Sequence, residues 1–119
     1  MKKLLGLAFL MLAGVVQASD YTKTRYPLVL APGVLGFDKV LGIEYWYGIP
    51  ASLRSDGARV FVTSASAFNS SEARGEQTLR QVQDILAITG AAKVNLLGHS
   101  HGGFSVRYVA RLLPSRVAS

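Results

Sequence analysis

The chain has no cysteine, a single tryptophan and only two histidines among its 119 residues. Without cysteine this stretch has no disulfide framework and no thiolate metal site. Acidic side chains are scarce too, seven against thirteen Lys and Arg, for a formal charge of +6. The basic residues are dispersed (Arg25, Arg54, Arg59, Arg74, Arg80, Arg107), with no run alternating with aromatics. That distribution reads as solvated surface, and no nucleic-acid partner is expected. Internal repeats and low-complexity linkers are also missing.

What is present is apolar. Half the residues are hydrophobic and 17% charged, the balance of a globular chain with a core. The length suits one small domain. The first apolar stretch is set apart: Lys2 and Lys3 precede Leu4 to Val16, and Val16-Gln17-Ala18 ends in a small residue. This is the pattern of a secretory signal peptide over residues 1–18, cleaved on export. The stretch is shorter than the roughly 20 residues of a membrane span, and no basic stop-transfer cluster follows it. Residues 19–119 are the expected mature part; without Lys2 and Lys3 the charge falls from +6 to +4.

Three short apolar runs follow, each bounded by turn residues: Pro27 to Ala31, Ala58 to Thr63, and Lys93 to Leu97. Near-continuous runs of this length, rich in Val and Leu, predict strands buried on both faces of a parallel sheet. Helices are expected between and after them. Pro50 and Gly57 bracket a short one, Pro50 to Asp56. A longer helix runs from about Ser71 to Thr89, opened by a capping-box-like Asn69 and Glu72 and stopped by Gly90. Leu79, Val82, Ile85 and Leu86 form its apolar stripe, and Glu76 and Arg80 stand four apart on its exposed side. A third helix after Gly103 is expected to carry Phe104, Tyr108, Val109 and Leu112 toward a core until Pro114 ends it. Strand and helix alternating three times predict an α/β fold with a parallel sheet and flanking helices. In such sheets ligands bind beyond the carboxyl ends of the strands. Two of those ends are glycine-rich: Pro32-Gly33-Val34-Leu35-Gly36 and Gly98-His99-Ser100-His101-Gly102-Gly103.

The second loop matches G-x-S-x-G between a strand and a helix. That context turns a common pentapeptide into a candidate nucleophile. A sharp strand-to-helix turn strains the central serine and exposes its hydroxyl, and the flanking glycines relieve clashes with neighbouring strand and helix. The helix N-terminus behind it presents backbone N–H groups to a developing oxyanion. Ser100 is therefore the candidate nucleophile.

In "YPLVLAPGVLGFD", "LGIEYWYGIPASLRSDGARVFVT", "SEARGEQTLRQVQDIL" and "KVNLLGHSHGG" the chain resembles the N-terminal part of the secreted bacterial triacylglycerol lipases of the Pseudomonas/Burkholderia type, which are α/β-hydrolases. The likeness spans residues 21–119, with the motifs in the same order. It implies Ser100 as nucleophile and the backbone N–H groups of His101 and Val34 as the two oxyanion donors. Gly33, Gly98 and Gly102 match the motif glycines. Where the family often has His-Gly this chain has Pro32-Gly33, a change that bears on loop shape, since that amide is not the expected donor. The resemblance implies an incomplete α/β-hydrolase fold, with the catalytic acid and histidine, the lid, the disulfide and a structural calcium all belonging beyond Ser119. Within this chain no metal ligand is assigned. It further implies a lipid or ester substrate at an interface, a lipase-specific foldase as partner during secretion, and passage through the periplasm to the exterior. Other serine hydrolases (esterase, thioesterase, polyester depolymerase) and an inactive truncated product are the alternatives.

His99 and His101 flank the serine, but neighbours of a nucleophile on a tight turn point away from its hydroxyl, and both are expected to brace the loop. In these hydrolases the chain order is serine, acid, histidine. Asp84 precedes the serine on a helix and is expected to face solvent or Arg80. Asp38 and Asp56 are expected in turn or cap roles. Tyr45-Trp46-Tyr47 either packs in the core with its polar ring atoms bonded or lines an acyl-binding cleft.

Overall fold

A computed structural model of the chain describes residues 19–119, so the signal-peptide assignment of residues 1–18 lies outside the described residues. The central element is β1 (Leu28–Ala31), flanked by β4 (Val60–Val62) and β5 (Asn95–Gly98) in the order β4-β1-β5. Both pairings are parallel, with Leu28 opposite Val60 and Asn95, and Leu30 opposite Val62 and Leu97. Side chains of β1 alternate between two cores, as a pleated strand requires. Val29 joins Val82, Val94 and Val109 on one face, and Leu30 joins Ala58 and Val60 on the other.

Each face is covered by helix. On the Val29 side lie α2 (Ser71–Thr89) and α3 (Gly102–Leu112). The α2 stripe includes Leu79, Val82, Ile85 and Leu86, all buried, as the helical spacing predicts. Its cap is Ser70, whose Oγ accepts from the Ala73 amide at 3.1 Å. Asn69 is therefore not the cap; its side-chain oxygen accepts from the Ser70 amide, and the cap lies one residue later. Gly90 ends the helix in a left-handed conformation with φ 65°, where a Cβ would be strained. On the Leu30 side lies α1 (Ile49–Ser55), one residue earlier than the flanking Pro50 and Gly57 predict, packed through Leu53 beside Trp46.

Several expectations are corrected. Glu76 accepts a 2.8 Å hydrogen bond from the Tyr108 hydroxyl, and among the described residues it has no ion pair with Arg80. Phe104 and Leu112 are 59% and 50% exposed, because α3 turns only the face of Gly102, Ser105 and Val109 fully inward. Burial on both faces holds for β1 and not for β5, where Leu97 stays 45% exposed. The seven residues of α1 cover β1 and β4 and do not reach that far.

A short hairpin, β2 (Lys39–Val40) with β3 (Ile43–Glu44), was not evident in the sequence. Two-residue strands carry no periodic pattern; its turn is made by Leu41 and Gly42, both at positive φ. The last residues run alongside the outer edge of β5. A parallel bridge joins Val94 and Val117, the Ala118 amide donates to the Val94 carbonyl and the Leu96 amide donates to that of Ser119, both at 2.8 Å. Among the described residues no helix is long and apolar enough to cross a membrane.

Candidate active site

The carboxyl ends of β1 and β5 are adjacent because the two strands pair directly, Ala31 opposite Gly98. The loops that leave them therefore meet. A Cβ placed on Gly33 would lie 3.2 Å from the Ser100 Cβ and 2.5 Å from the Tyr45 hydroxyl. One on Gly102 would come within 2.6 Å of the Pro32 carbonyl oxygen, and one on Gly98 within 2.6 Å of the Gly102 carbonyl carbon. Approaches under 3.0 Å are not tolerated by real Cβ atoms and 3.2 Å is tight, so each glycine eases a different contact: loop to loop, helix to β1, and strand end to helix start.

Between them sits Ser100, exposed and at φ 56°. A non-glycine residue there occupies the left-handed region, a strain of order 1–3 kcal/mol held only by its surroundings. The turn is closed by the Gly102 amide donating to the His99 carbonyl at 2.9 Å and the Gly103 amide donating to the Ser100 carbonyl at 3.0 Å. The N–H groups of Val34, in the first loop, and of His101, in the second, donate to nothing among the described residues. Two loops in contact thus carry two unpaired amide donors beside an exposed hydroxyl.

Both imidazoles have other partners. His99 Nδ1 shares a 2.6 Å hydrogen bond with the Tyr45 hydroxyl. His101 Nε2 lies 3.0 Å from the Ser71 Oγ at the start of α2, and its ring leans on Phe104. Its Nδ1 is buried without a partner among the described residues. Among the described residues neither ring is hydrogen-bonded to Ser100. Asp84 is exposed, Asp56 caps the end of α1, and the Asp38 carbonyl accepts from the Tyr45 amide.

The aromatic triplet divides into three roles. Tyr45 stacks edge-on with Phe37, Trp46 and His99 at 5.4, 5.5 and 5.7 Å. Trp46 packs on the Leu30 core with its Nε1 buried and unpartnered. Tyr47 is 82% exposed. Beside them Leu35, Phe37, Val40, Leu41 and Ile43 line an open apolar groove of about 490 Å³, a surface of the kind that accepts hydrocarbon.

One residue of the site overturns its sequence reading as solvated surface. Arg74, 1% exposed on α2, donates to the carbonyl oxygens of Gly33 and Val34 and, at 3.1 Å, to that of Ser66. Desolvation by burial lowers its pKa, partly opposed by Tyr45; a guanidinium stays charged all the same. The available signal was its place on the row Arg74, Thr78, Val82, a charge on the buried stripe of the helix. Among the described residues no three His, Cys, Asp or Glu side chains are arranged to hold a metal ion. The calcium implied by the resemblance belongs to residues beyond Ser119 and has no ligand assigned within 19–119.

The chain is similar to known proteins. The alpha/beta hydrolase fold family matches residues 26–119. The triacylglycerol lipase of Vibrio cholerae is 57% identical over 107 residues, which are 90% of this chain and 34% of the relative. That of Burkholderia plantarii is 48% identical over 118 residues, 96% of this chain and 33% of the relative. That of Pseudomonas fragi is 45% identical over 100 residues, 84% of this chain and 34% of the relative. The chain therefore spans about a third of the length of these curated relatives. A solved extracellular α/β-hydrolase from a Paenibacillus species has a TM-score of 0.59 over 77% of this chain and 37% of its own, a likeness of fold at 21% identity.

Proposed function

The chain belongs to the α/β-hydrolase fold family, and from that premise we propose that the whole protein is a serine carboxylic-ester hydrolase of the triacylglycerol lipase type. The observation that carries this is the position of Ser100. It stands exposed at φ 56° on a strand-to-helix turn, against a second loop, with the Val34 and His101 amides unpaired.

In the proposed reaction the Ser100 Oγ bonds to the ester carbonyl carbon while its proton passes to a base. The carbonyl π pair moves onto oxygen, which the Val34 and His101 amides stabilise. Collapse of the adduct restores the C=O bond and breaks the bond to the alcohol, which leaves after taking a proton. Water then attacks the acyl-enzyme in the same way, releasing the acid and Ser100. Both imidazoles in the chain are committed to Tyr45 and Ser71, so the proposed base lies outside residues 19–119.

The triacylglycerol lipase names of the relatives support a lipid ester as substrate. The exposed apolar side chains of the first loop and the start of α3 (Val34, Leu35 and Phe104) support work at an oil–water interface. Export with cleavage after residue 18, a structural calcium and a secretion foldase belong to the same proposal. The test is Ser100→Ala in the full-length protein, assayed on tributyrin and olive oil. Loss of hydrolysis with the fold retained is the expected result, and unchanged hydrolysis would sink the assignment.

A further inference from the structure

A buried cation normally has a buried anion beside it, since an isolated charge in the interior costs several kcal/mol. Arg74 is 1% exposed, and among the described residues no carboxylate lies within ion-pairing distance of it. Its charge is met instead by neutral carbonyls: Nη2 donates to Gly33, and Nη1 donates to Val34 and Ser66. Among the described residues its Nε is buried without a partner. Folding has therefore placed a full positive charge against the loop leaving β1, with incomplete compensation.

The identity of the carbonyls gives that placement a consequence. A trans peptide is a rigid plane whose C=O and N–H point in opposite directions. The Gly33 carbonyl and the Val34 N–H are the two ends of one such plane. Arg74 grips the carbonyl end, and the Gly36 amide donates to the same oxygen at 3.0 Å. Its second nitrogen grips the Val34 carbonyl, which fixes the following peptide as well. Rotation of the Gly33–Val34 plane would break the Arg74 bond and turn a carbonyl toward Ser100, the worst partner for an oxyanion. Glycine, lacking a Cβ, resists such a rotation least of all residues.

Resting on the esterase reading above, we propose that Arg74 is a positioning residue of the oxyanion site: by holding the Gly33 and Val34 carbonyls it keeps the Val34 N–H on the Ser100 side of the loop. A cationic donor on the carbonyl also polarises the peptide and strengthens its N–H as a donor. Both effects act on the charge that develops at the substrate oxygen and little on ground-state binding, so they belong to kcat.

The experiment compares full-length wild type with Arg74→Lys and Arg74→Gln, chosen over alanine because each keeps a donor in the buried space. For each, kcat and KM are measured on p-nitrophenyl butyrate, normalised to active sites titrated to completion with a fluorophosphonate. Inhibition by a butylboronic acid, whose serine adduct is an anionic tetrahedron, is measured in parallel. The expected result for Arg74→Gln is a fall in kcat of about 10- to 100-fold, below the ~10²–10³ for deleting a donor outright. KM stays within about threefold, boronate affinity falls in step with kcat, and Arg74→Lys lies between. Per-site kcat and boronate affinity within about twofold of wild type would overturn the proposal. So would a loss confined to the fraction of titratable sites, which is the signature of a merely structural role. A wild type that neither turns over ester nor binds boronate overturns the esterase reading and this proposal together. An active wild type with indifferent variants overturns the role of Arg74 alone.

Discussion

Gly33 lies against Ser100, so close that a methyl group on Gly33 would stand 3.2 Å from the Ser100 Cβ. The contact joins the loop ending β1 to the turn ending β5, and it depends on residue 33 having no side chain. Gly33→Ala must push the loops apart or displace Tyr45, whose hydroxyl would be 2.5 Å from the new carbon. Parting the loops moves the Val34 amide relative to Ser100, and displacing Tyr45 disturbs its bond to His99 Nδ1. In the full-length protein kcat on a p-nitrophenyl ester should fall by about 10²-fold, near the effect of losing one oxyanion donor. Activity within a factor of about two would separate the Gly33–Ser100 contact from catalysis.

Ser100 itself should be a liability to stability. At φ 56° a serine is strained where glycine is not. Ser100→Gly should therefore abolish ester hydrolysis while raising stability by about 1 kcal/mol, the lower end of the strain stored at such positions. Chemical denaturation beside Ser100→Ala, which keeps the Cβ and its strain, isolates the backbone effect. Equal midpoints for the two variants would show that the turn is not strained.

Gly75 sets two effects against each other. Alanine is the better helix former by about 1 kcal/mol, but a Cβ on Gly75 would fall 2.5 Å from Cγ of Tyr108 and 2.9 Å from its Cβ. Overpacking of this kind costs about 1–3 kcal/mol. The ring is pinned at its far end by the bond to Glu76, so it cannot simply move aside. Gly75→Ala should destabilise the protein by up to about 2 kcal/mol net. A thermal midpoint at or above wild type would contradict this.

The Tyr108–Glu76 bond also predicts a pH effect. Tyr108 has its pKa raised above the ordinary 10.0, first by donating to Glu76, then by desolvation and by the charges of Glu76 and Glu72. A raised folded-state value means the contribution is complete below pH 10.0 and is lost as pH climbs through the folded value. The stability advantage of wild type over Tyr108→Phe should thus stay constant up to about pH 10 and shrink as pH rises above it. A constant difference in Tm across that rise would refute the coupling.

Much of the fold was legible along the chain. The α2 stripe and the glycine after it have the period and stop signal of a helix, and they came out as read. The three strands were found within a residue or two of their ends. The hairpin was missed because strands of two residues have no period. The exposure of Phe104 and Leu112 was missed because apolar identity does not say whether another element arrives to cover a face.

For the site the division is similar. The sequence by itself determined which residues could do chemistry: a serine between glycines at a strand-to-helix turn, and a second glycine loop after an earlier strand. Local sterics act over a few residues, and a local pattern records them. Only the tertiary structure decided that the two loops touch, that the histidines turn to Tyr45 and Ser71, and that Arg74 reaches the carbonyls of Gly33 and Val34. Those contacts join residues far apart in the chain through the pairing of β1 with β5 and the packing of α2 on the sheet. A charge on a buried helical stripe announces that something must receive it; what receives it depends on where the fold brings the other strand ends.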